Sequence, residues 1–185
     1  MEKQLQQKHK HLIEQSKLGN RQAQYALYNQ YVNGMFTVCN RIVKDRTDAE
    51  DVLQDSFVRA FKSLNQFRYE STFGAWLKRI VVNTSINFLN KRKVDLVSME
   101  EEYINIENKQ TEESYAAPLD PSTDIKNIKA AIKNLSEGGR VVLSLYLFEG
   151  YDHKEIGEIL NISESTSKSQ YSRAKHKLRQ LLKTM

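Results

Sequence analysis

The sequence has very few residues of the kinds that interrupt helices or cross-link domains. Its 185 residues include two prolines, seven glycines and one cysteine, Cys39. A single cysteine cannot form a disulfide within the chain, which fits a reducing compartment. Cys39 falls on an apolar helical stripe, where packing is the expected role rather than thiol chemistry. No apolar run approaches the ~20 residues that a membrane span needs. The sequence therefore predicts a cytoplasmic protein without a membrane insertion.

Motifs for catalysis and metal binding are also missing. The sequence has no glycine-rich phosphate loop, no zinc-ligand spacing and no plausible pair of nucleophile and base. Its four histidines show no ligand spacing either. These absences predict that the chain is not an enzyme, and that it uses no cofactor, no metal and no small-molecule substrate.

Charge is distributed in three blocks. Residues 1–94 hold 16 Lys and Arg against 8 Asp and Glu, whereas residues 95–124 hold 1 against 9. Residues 125–185 return to a basic balance, with 11 against 6. The net charges are therefore +8, −8 and +5, which match the +5 of the whole chain. Two basic blocks that flank an acidic one favour two nucleic-acid-facing domains on a linker that would repel DNA.

Apolar residues recur at helical spacing, and strand signals are nearly absent. The sequence predicts an all-α fold of two small helical domains, the second containing a helix-turn-helix, joined by an acidic flexible linker. The predicted segments are an N-terminal extension at 1–21, a first domain at 22–94, the linker at 95–123 and a second domain at 124–185. Thr47 to Glu50 is predicted to open the second helix of the first domain as a capping box.

The sharpest local pattern begins at His153. A short helix (153–160) is followed by a turn (161–163) and then by a basic helix, which together favour a helix-turn-helix. Gly157 allows a close helix crossing, and Asn161 tolerates the left-handed conformation of a tight turn. From residue 165 to the end there are six Lys and Arg and no acid. The alternative is an amphipathic helix pair with a solvated basic face. Tyr171 falls in register with the apolar stripe and is predicted to lie in the core.

Two further clusters belong to the first domain. Aromatic and basic residues alternate between 67 and 93, which suits single-stranded or distorted DNA because bases stack on rings while cations hold phosphates. The alternative for Trp76 is simple core packing. Acidic residues cluster between Asp48 and Asp55, where a protein contact is favoured and a metal site is the weaker alternative.

Three stretches together resemble the extracytoplasmic-function (ECF) group of bacterial RNA polymerase sigma factors. They are AEDVLQDSF at 49–57, STFGAWL at 71–77 with Asn83 and the basic run 91–93, and the segment 149–175. The three occur in this order around an acidic linker, and the resemblance covers roughly residues 22–93 and 124–182. It implies a sigma factor that directs core RNA polymerase to promoters and helps to open them.

The resemblance also implies which residues carry each contact. Polymerase binding falls on Asp51, Gln54 and Asp55. Recognition and melting of the minus-ten element fall on Arg68, Tyr69, Ser71, Trp76, Lys78, Arg79, Asn83, Asn87 and Arg92. Recognition of the minus-thirty-five element falls on Thr166, Lys168, Ser169, Ser172, Arg173 and Lys175. Asn87 departs from the Asp common in the family, which bears on minus-ten preference, and Tyr171 departs from the common Leu, which bears on packing.

The implied partners are core RNA polymerase and promoter DNA, and an anti-sigma factor is left open. Promoter sequence, regulon and inducing signal are not encoded in these motifs. Two other interpretations remain at this point. One is a helix-turn-helix regulator that never joins polymerase and uses residues 1–94 as an effector domain. The other is a metal-dependent nuclease, which would need the carboxylates of 48–55 to hold metal.

Overall fold

The computed structural model describes residues 2–97 and 125–184, and all regular structure within these ranges is helical. The predicted all-α class is confirmed. The chain divides into two compact units, residues 1–93 and 94–185, which are described separately below. The linker predicted at 95–123 lies outside the described residues, except for 95–97, which end a helix. No helix in the described ranges is both long and apolar enough to cross a membrane.

The first unit contains four helices. They are α1 (Glu2–Lys17), α2 (Arg21–Val43), α3 (Arg46–Lys62) and α4 (Phe73–Val97), with a short 3-10 turn at Leu64–Gln66 between α3 and α4. Helix α2 packs against both α1 and α3, and the 3-10 turn packs against α1 and α3. The exit of the chain from α3 therefore lies beside α1.

Polar side chains define where these helices begin. Asn20 caps α2 by accepting from the N–H groups of Gln22 and Ala23. Asp45 caps α3 by accepting from the N–H groups of Thr47 and Asp48. The predicted capping box at 47–50 is therefore wrong, because α3 begins at Arg46 and places Thr47 inside its first turn. Helix α4 is capped by Thr72, whose hydroxyl accepts from the N–H of Ala75 at 3.2 Å.

Large aliphatic side chains fill the core of the first unit. Leu27 and Ile42 of α2, with Leu77 and Val81 of α4, are completely buried. Cys39 lies among them, and burial raises the pKa of its thiol to about 11. The predicted packing role of Cys39 therefore agrees with its position, since a thiol of this pKa stays protonated and unreactive near neutral pH.

Helix α1 belongs to this core, although its apolar pattern is weak. Ile13 is 2% exposed and Ser16 is equally buried, and the Ser16 hydroxyl donates to the Leu12 carbonyl at 2.7 Å. Gly19, at φ +82°, lies in the α1–α2 connection in a conformation that suits glycine. The segment predicted as an extension at 1–21 thus contributes a helix that packs within the first unit.

In the second unit, the described residues 125–184 also form four helices. They are α5 (Ile125–Lys133), α6 (Glu137–Leu147), α7 (His153–Leu160) and α8 (Glu164–Lys183). Helix α8 contacts each of the other three. Ile132, Leu135, Leu143 and Ala174 form the core between them. Ile125, the first residue of α5, is exposed.

Candidate nucleic-acid and protein interfaces

The loop between the 3-10 turn and α4 rests on an aromatic base. Phe67 is buried, and its ring centroid lies 4.7 Å from that of Tyr69 and 5.3 Å from that of Trp76. Phe73 completes the group at 5.6 Å from Trp76. Trp76 is half-buried, so it packs in this cluster and still presents part of its ring to solvent. Both interpretations of Trp76, core packing and an accessible aromatic surface, are compatible with this position.

One face of α4 collects four of the predicted minus-ten residues. Trp76, Arg79, Asn83 and Asn87 follow one another at intervals of three, four and four, which places them on one stripe of the helix. Arg79, Asn83 and Asn87 are exposed. We call these four residues the α4 stripe. At about 100° per residue, Lys78 points well away from it.

The predicted loop residues lie at the start of this stripe. Arg68, Tyr69 and Ser71 are exposed between Phe67 and the first turn of α4. They are therefore close in sequence to Trp76, and the Tyr69 ring contacts Phe67 of the same aromatic base. The structure brings the loop and the α4 stripe into one continuous region of the first unit.

Arg92, the last of the predicted minus-ten residues, is not on the α4 stripe. Its guanidinium donates to the Asp48 carboxylate at 3.2 Å, across from α4 to the first turn of α3. Both side chains remain partly exposed, so the pair contributes little to stability. The basic end of α4 and the acidic start of α3, which the sequence suggested as separate surfaces, are joined at this point.

The three residues predicted to bind polymerase are exposed on α3. Asp51, Gln54 and Asp55 lie on its outer side, and Asp55 pairs with Arg59 at 3.0 Å one turn later. Between α3 and α4 runs an open groove of about 330 Å³. It is lined by Asp51, Val52, Asp55, Arg59, Thr84, Asn87, Phe88 and Lys91. Asn87 thus belongs to the α4 stripe and also lines the groove.

The acidic residues of α3 do not assemble into a metal site. Within residues 2–97 and 125–184, no three His, Cys, Asp or Glu side chains lie close enough together to hold an ion. Glu50 is instead paired with Arg46 at 3.0 Å, and Asp48 with Arg92. The nuclease interpretation finds no support in this arrangement.

The helix-turn-helix has the predicted bounds. Helix α7 ends at Leu160, Asn161 adopts the left-handed conformation at φ +54°, and Ser163 caps α8 by accepting from the N–H of Thr166 at 3.1 Å. Helix α7 begins with a reciprocal capping box, in which the side chains of Asp152 and Glu155 each accept from the backbone N–H of the other residue. The spacing Asp-x-x-Glu is typical of such a cap, but it does not enter the sequence-based prediction of the helix-turn-helix.

Gly157 lies against the turn itself. A Cβ placed on Gly157 would approach the carbonyl oxygen of Ile162 to 2.8 Å and the N–H nitrogen of Glu164 to 3.6 Å. Since these are backbone atoms, they cannot move aside without distorting the turn. The absence of a side chain at Gly157 therefore sets how closely α7 and α8 approach.

A second contact between the two helices was missed in the sequence. Nδ1 of His153 is 2.9 Å from the hydroxyl of Ser167, which is completely buried. The His153 ring stacks on Tyr146 with centroids 4.6 Å apart, and Tyr146 lies equally close to Tyr171. Tyr171, predicted to lie in the core, is half-buried and packs against the core instead. Periodicity gave no signal for the His153–Ser167 contact, because it joins polar groups across a turn.

The outer side of α8 carries all six predicted minus-thirty-five residues. At about 100° per residue, Thr166, Lys168, Ser169, Ser172, Arg173 and Lys175 occupy about half of the helix circumference, opposite the stripe through Ser167, Ala174 and Leu178. We call these six residues the recognition face.

Local contacts orient several side chains of the recognition face. Lys168 pairs with Glu164 at 2.6 Å, and this hydrogen bond holds the pKa of the Glu164 carboxyl below its usual value. The Lys175 ammonium lies 4.5 Å from the centroid of Tyr171. The Thr166 hydroxyl is 2.8 Å from that of Ser163 at the helix start.

Replacing Gly157 by valine should disrupt the helix-turn-helix. We expect Gly157→Val to destabilise the second unit by about 1–3 kcal/mol or more, because its side chain would overlap the backbone of the turn. Gly34→Val is the matched control, since a Cβ at Gly34 of α2 meets nothing within 4 Å. Thermal unfolding followed by circular dichroism compares the two. Equal stability of both variants would contradict the close approach at Gly157.

Comparison with known proteins supports both units. The family profile described as Sigma-70 region 2 matches residues 27–94, and that described as Sigma-70, region 4 matches residues 125–178. The chain is 30% identical over 180 residues to the ECF RNA polymerase sigma factor SigW of Bacillus subtilis, covering 94% of this chain and 96% of the relative. It is 29% identical over 170 residues to the ECF RNA polymerase sigma-E factor of Haemophilus influenzae, covering 89% of each.

Two solved structures have a similar fold. The sigma factor RpoE in complex with the anti-sigma factor NepR from Bartonella quintana matches with a TM-score of 0.57 at 23% identity, covering 86% of this chain and 96% of that one. CnrH in complex with the cytosolic domain of CnrY matches with a TM-score of 0.53 at 23% identity, covering 94% and 96%. At this level of identity, these two matches support the helical fold.

Proposed function

Because the chain belongs to the ECF group of RNA polymerase sigma factors, we propose how its surfaces divide the work of promoter recognition. The chain directs core RNA polymerase to promoters. The observation that carries the proposal is that the two basic blocks, residues 1–94 and 125–185, belong to different helical units. Each unit is matched by a different sigma region. Two units with separate basic surfaces suit two separate promoter elements.

Polymerase docking is proposed for Asp51, Gln54 and Asp55 of α3. These side chains are exposed on a segment whose net charge is +8, so they form an acidic surface that repels DNA and attracts a basic protein surface. The adjoining groove between α3 and α4 offers the half-buried ring of Phe88 to the same partner, with buried Val52 beneath it. A core with apolar groups and a polar rim is the usual composition of a specific protein interface.

Minus-ten recognition and melting are proposed for the loop residues Arg68, Tyr69 and Ser71 together with the α4 stripe. Exposed rings beside amide and guanidinium groups can stack on an unpaired base and bind its edge or its phosphate. Lys78 and Arg92 point to other sides of α4, and we propose that they act on the DNA strand through longer-range attraction. Because Asn87 belongs to the α4 stripe and also lines the groove, we propose that it lies where DNA and polymerase contacts meet.

Minus-thirty-five recognition is proposed for the recognition face of α8. Small hydroxyl side chains alternate with cations on this face, so the helix is slim enough to enter a major groove and basic enough to hold phosphates on both of its sides. The capped turn and the His153–Ser167 contact fix α8 relative to α7. A fixed recognition helix loses little conformational entropy on binding DNA.

The chain is proposed to act by binding alone, without catalysing a reaction, and to work in the cytoplasm, where RNA polymerase acts. An anti-sigma factor is proposed as a further partner, because the solved sigma factor RpoE, which has a similar fold, is in complex with one. The helix-turn-helix regulator without polymerase is not favoured, since the part that it would use as an effector domain is matched by Sigma-70 region 2.

The proposed minus-ten surface predicts a specific loss of promoter opening. Arg79→Ala combined with Asn83→Ala should slow opening by the holoenzyme at least tenfold, because hydrogen bonds to charged groups contribute about 1.5–3 kcal/mol each. Arg21→Ala combined with Asn29→Ala removes the same residue types from exposed positions on α2 and should have no effect. Permanganate reactivity of unpaired thymines measures opening, and equal rates for the two double variants would overturn the assignment.

A further inference from the structure

Tyr69 holds an unusual backbone conformation in the loop proposed to contact the minus-ten element. Its φ is +63°, in the left-handed region that glycine and asparagine tolerate and that a bulky aromatic residue rarely adopts. Such a conformation costs about 1–3 kcal/mol and persists only where surrounding contacts enforce it. The contacts that surround Tyr69 therefore show what holds the loop in this shape.

Most of these contacts come from α1, more than fifty residues earlier in the chain. The Tyr69 hydroxyl donates to the Glu14 carboxylate at 2.5 Å. The Lys17 ammonium donates to the backbone carbonyl of Phe67 at 3.2 Å and lies 4.8 Å from the centroid of the Tyr69 ring. Lys10 approaches the same ring at 5.4 Å. Side chains of α1 thus contact the loop at the Tyr69 hydroxyl, at the Phe67 carbonyl and at the face of the Tyr69 ring.

Helix α1 is itself firmly seated. Ile13 is buried in the core next to Glu14, and one turn earlier His9 lies 2.9 Å from the hydroxyl of Tyr31 through its Nε2 atom. The His9 ring also makes an edge contact with Phe73, the first residue of α4. The helix that holds the loop is therefore tied to α2 and to the start of α4.

We propose that α1 is a positioning element for promoter opening, in which Glu14 and Lys17 hold the loop at Tyr69 in the shape that presents Arg68 and Ser71 to the minus-ten strand. This inference rests on the proposed function of that loop. Glu14 and Lys17 do not touch DNA in this scheme. They act through Tyr69 and through the carbonyl of Phe67, and they spare the loop the cost of ordering at the moment of binding.

The ionisation of the pair agrees with a strong hydrogen bond. The bond from the Tyr69 hydroxyl, followed by that from Lys17, holds the pKa of the Glu14 carboxyl below its usual value. Burial beside the aromatic cluster, together with the bond to Glu14, raises the pKa of the Tyr69 phenol. The carboxylate is therefore charged and the phenol protonated near neutral pH, which are the states in which the bond is strongest.

The test uses the full chain bound to core polymerase, with a fluorescent single strand from a promoter that the wild-type holoenzyme has selected. We expect Glu14→Ala and Tyr69→Phe each to weaken binding of this strand about tenfold. Because both remove the same hydrogen bond, the double variant should be no weaker than the weaker single variant. Glu14→Gln should recover part of the affinity, since its amide oxygen can still accept from the hydroxyl. A recovery of this kind is not expected of a general loss of stability.

His11→Ala, on the exposed side of the same helix, is the matched control and should bind as the wild type does. Thermal unfolding and affinity for core polymerase should be the same for all of these variants. Unchanged or stronger strand binding by Glu14→Ala and Tyr69→Phe would overturn the positioning role, and so would losses that multiply in the double variant. The Arg79→Ala and Asn83→Ala pair separates the two proposals: if it weakens strand binding and the α1 variants do not, only the role of α1 fails, and if it has no effect, the minus-ten surface itself fails.

Discussion

Asp55→Lys should lower the affinity of the chain for core polymerase about a hundredfold while leaving its fold intact. The carboxylate is exposed at the edge of the groove between α3 and α4, so its replacement disturbs no core packing. A lysine placed against the basic partner surface costs several kcal/mol of binding free energy, and each 1.4 kcal/mol is tenfold in affinity. The substitution also places a cation one turn from Arg59, which loses its partner. Affinity is measured by titrating labelled chain with core polymerase.

Glu158→Lys supplies the control for this charge reversal. Glu158 is exposed on α7 in the second unit, and its replacement changes the net charge of the chain by the same amount. We expect its affinity for core polymerase to be within about twofold of the wild type, because exposed charges outside a contact change affinity little. If Asp55→Lys and Glu158→Lys bind core polymerase equally well, α3 is not the docking surface.

The second large effect is expected on the recognition face. Lys168→Ala combined with Arg173→Ala should weaken binding of the chain to duplex DNA and reduce the dependence of log K on log salt by about two, at ~0.9 per lost phosphate contact. If one of the two cations instead donates hydrogen bonds to a guanine, its removal should cost ~1–3 kcal/mol of binding free energy and relax the preference at that one base position. Fluorescence anisotropy with a labelled duplex across a salt series separates the two outcomes.

Lys129→Ala combined with Lys133→Ala is the matched control for this pair. Both lysines are exposed on α5, and the double variant removes the same number of cations from the same unit. We expect the salt dependence of this control to stay within about 0.5 of the wild-type slope, because screened charges away from the phosphates release few counterions. Equal slopes for the two double variants would remove α8 from the duplex contact.

The helix-turn-helix was the part of the fold that could be predicted most sharply. Its turn depends on local chemistry, in that Asn161 tolerates a positive φ and Ser163 has a hydroxyl for the cap. By contrast, the start of α3 was misplaced, because Thr47 and Glu50 fit the spacing of a capping box although Asp45 provides the cap. Two candidate caps so close together cannot be ranked without knowing where the preceding helix ends.

Long-range contacts between polar groups could not be predicted at all. The resemblance implies a DNA contact for Arg92, yet its partner Asp48 lies 44 residues away. The bond between Glu14 and Tyr69 spans 55 residues, and neither residue belongs to an apolar pattern. Periodicity reports which side of a helix faces a core, but it carries no information on which charged groups meet across helices.

Transcription from a pooled promoter library tests the central claim most directly. Core polymerase and the chain are incubated with a library randomised upstream of a common transcript, and the transcripts are sequenced. The account predicts transcripts only when the chain is present, from promoters that share two separate motifs at a fixed spacing. Gly157→Val should weaken selection at the upstream motif, and the Arg79→Ala and Asn83→Ala pair at the downstream one. The absence of any transcript that depends on the chain, or selection of a single motif unaffected by either variant, would contradict the account.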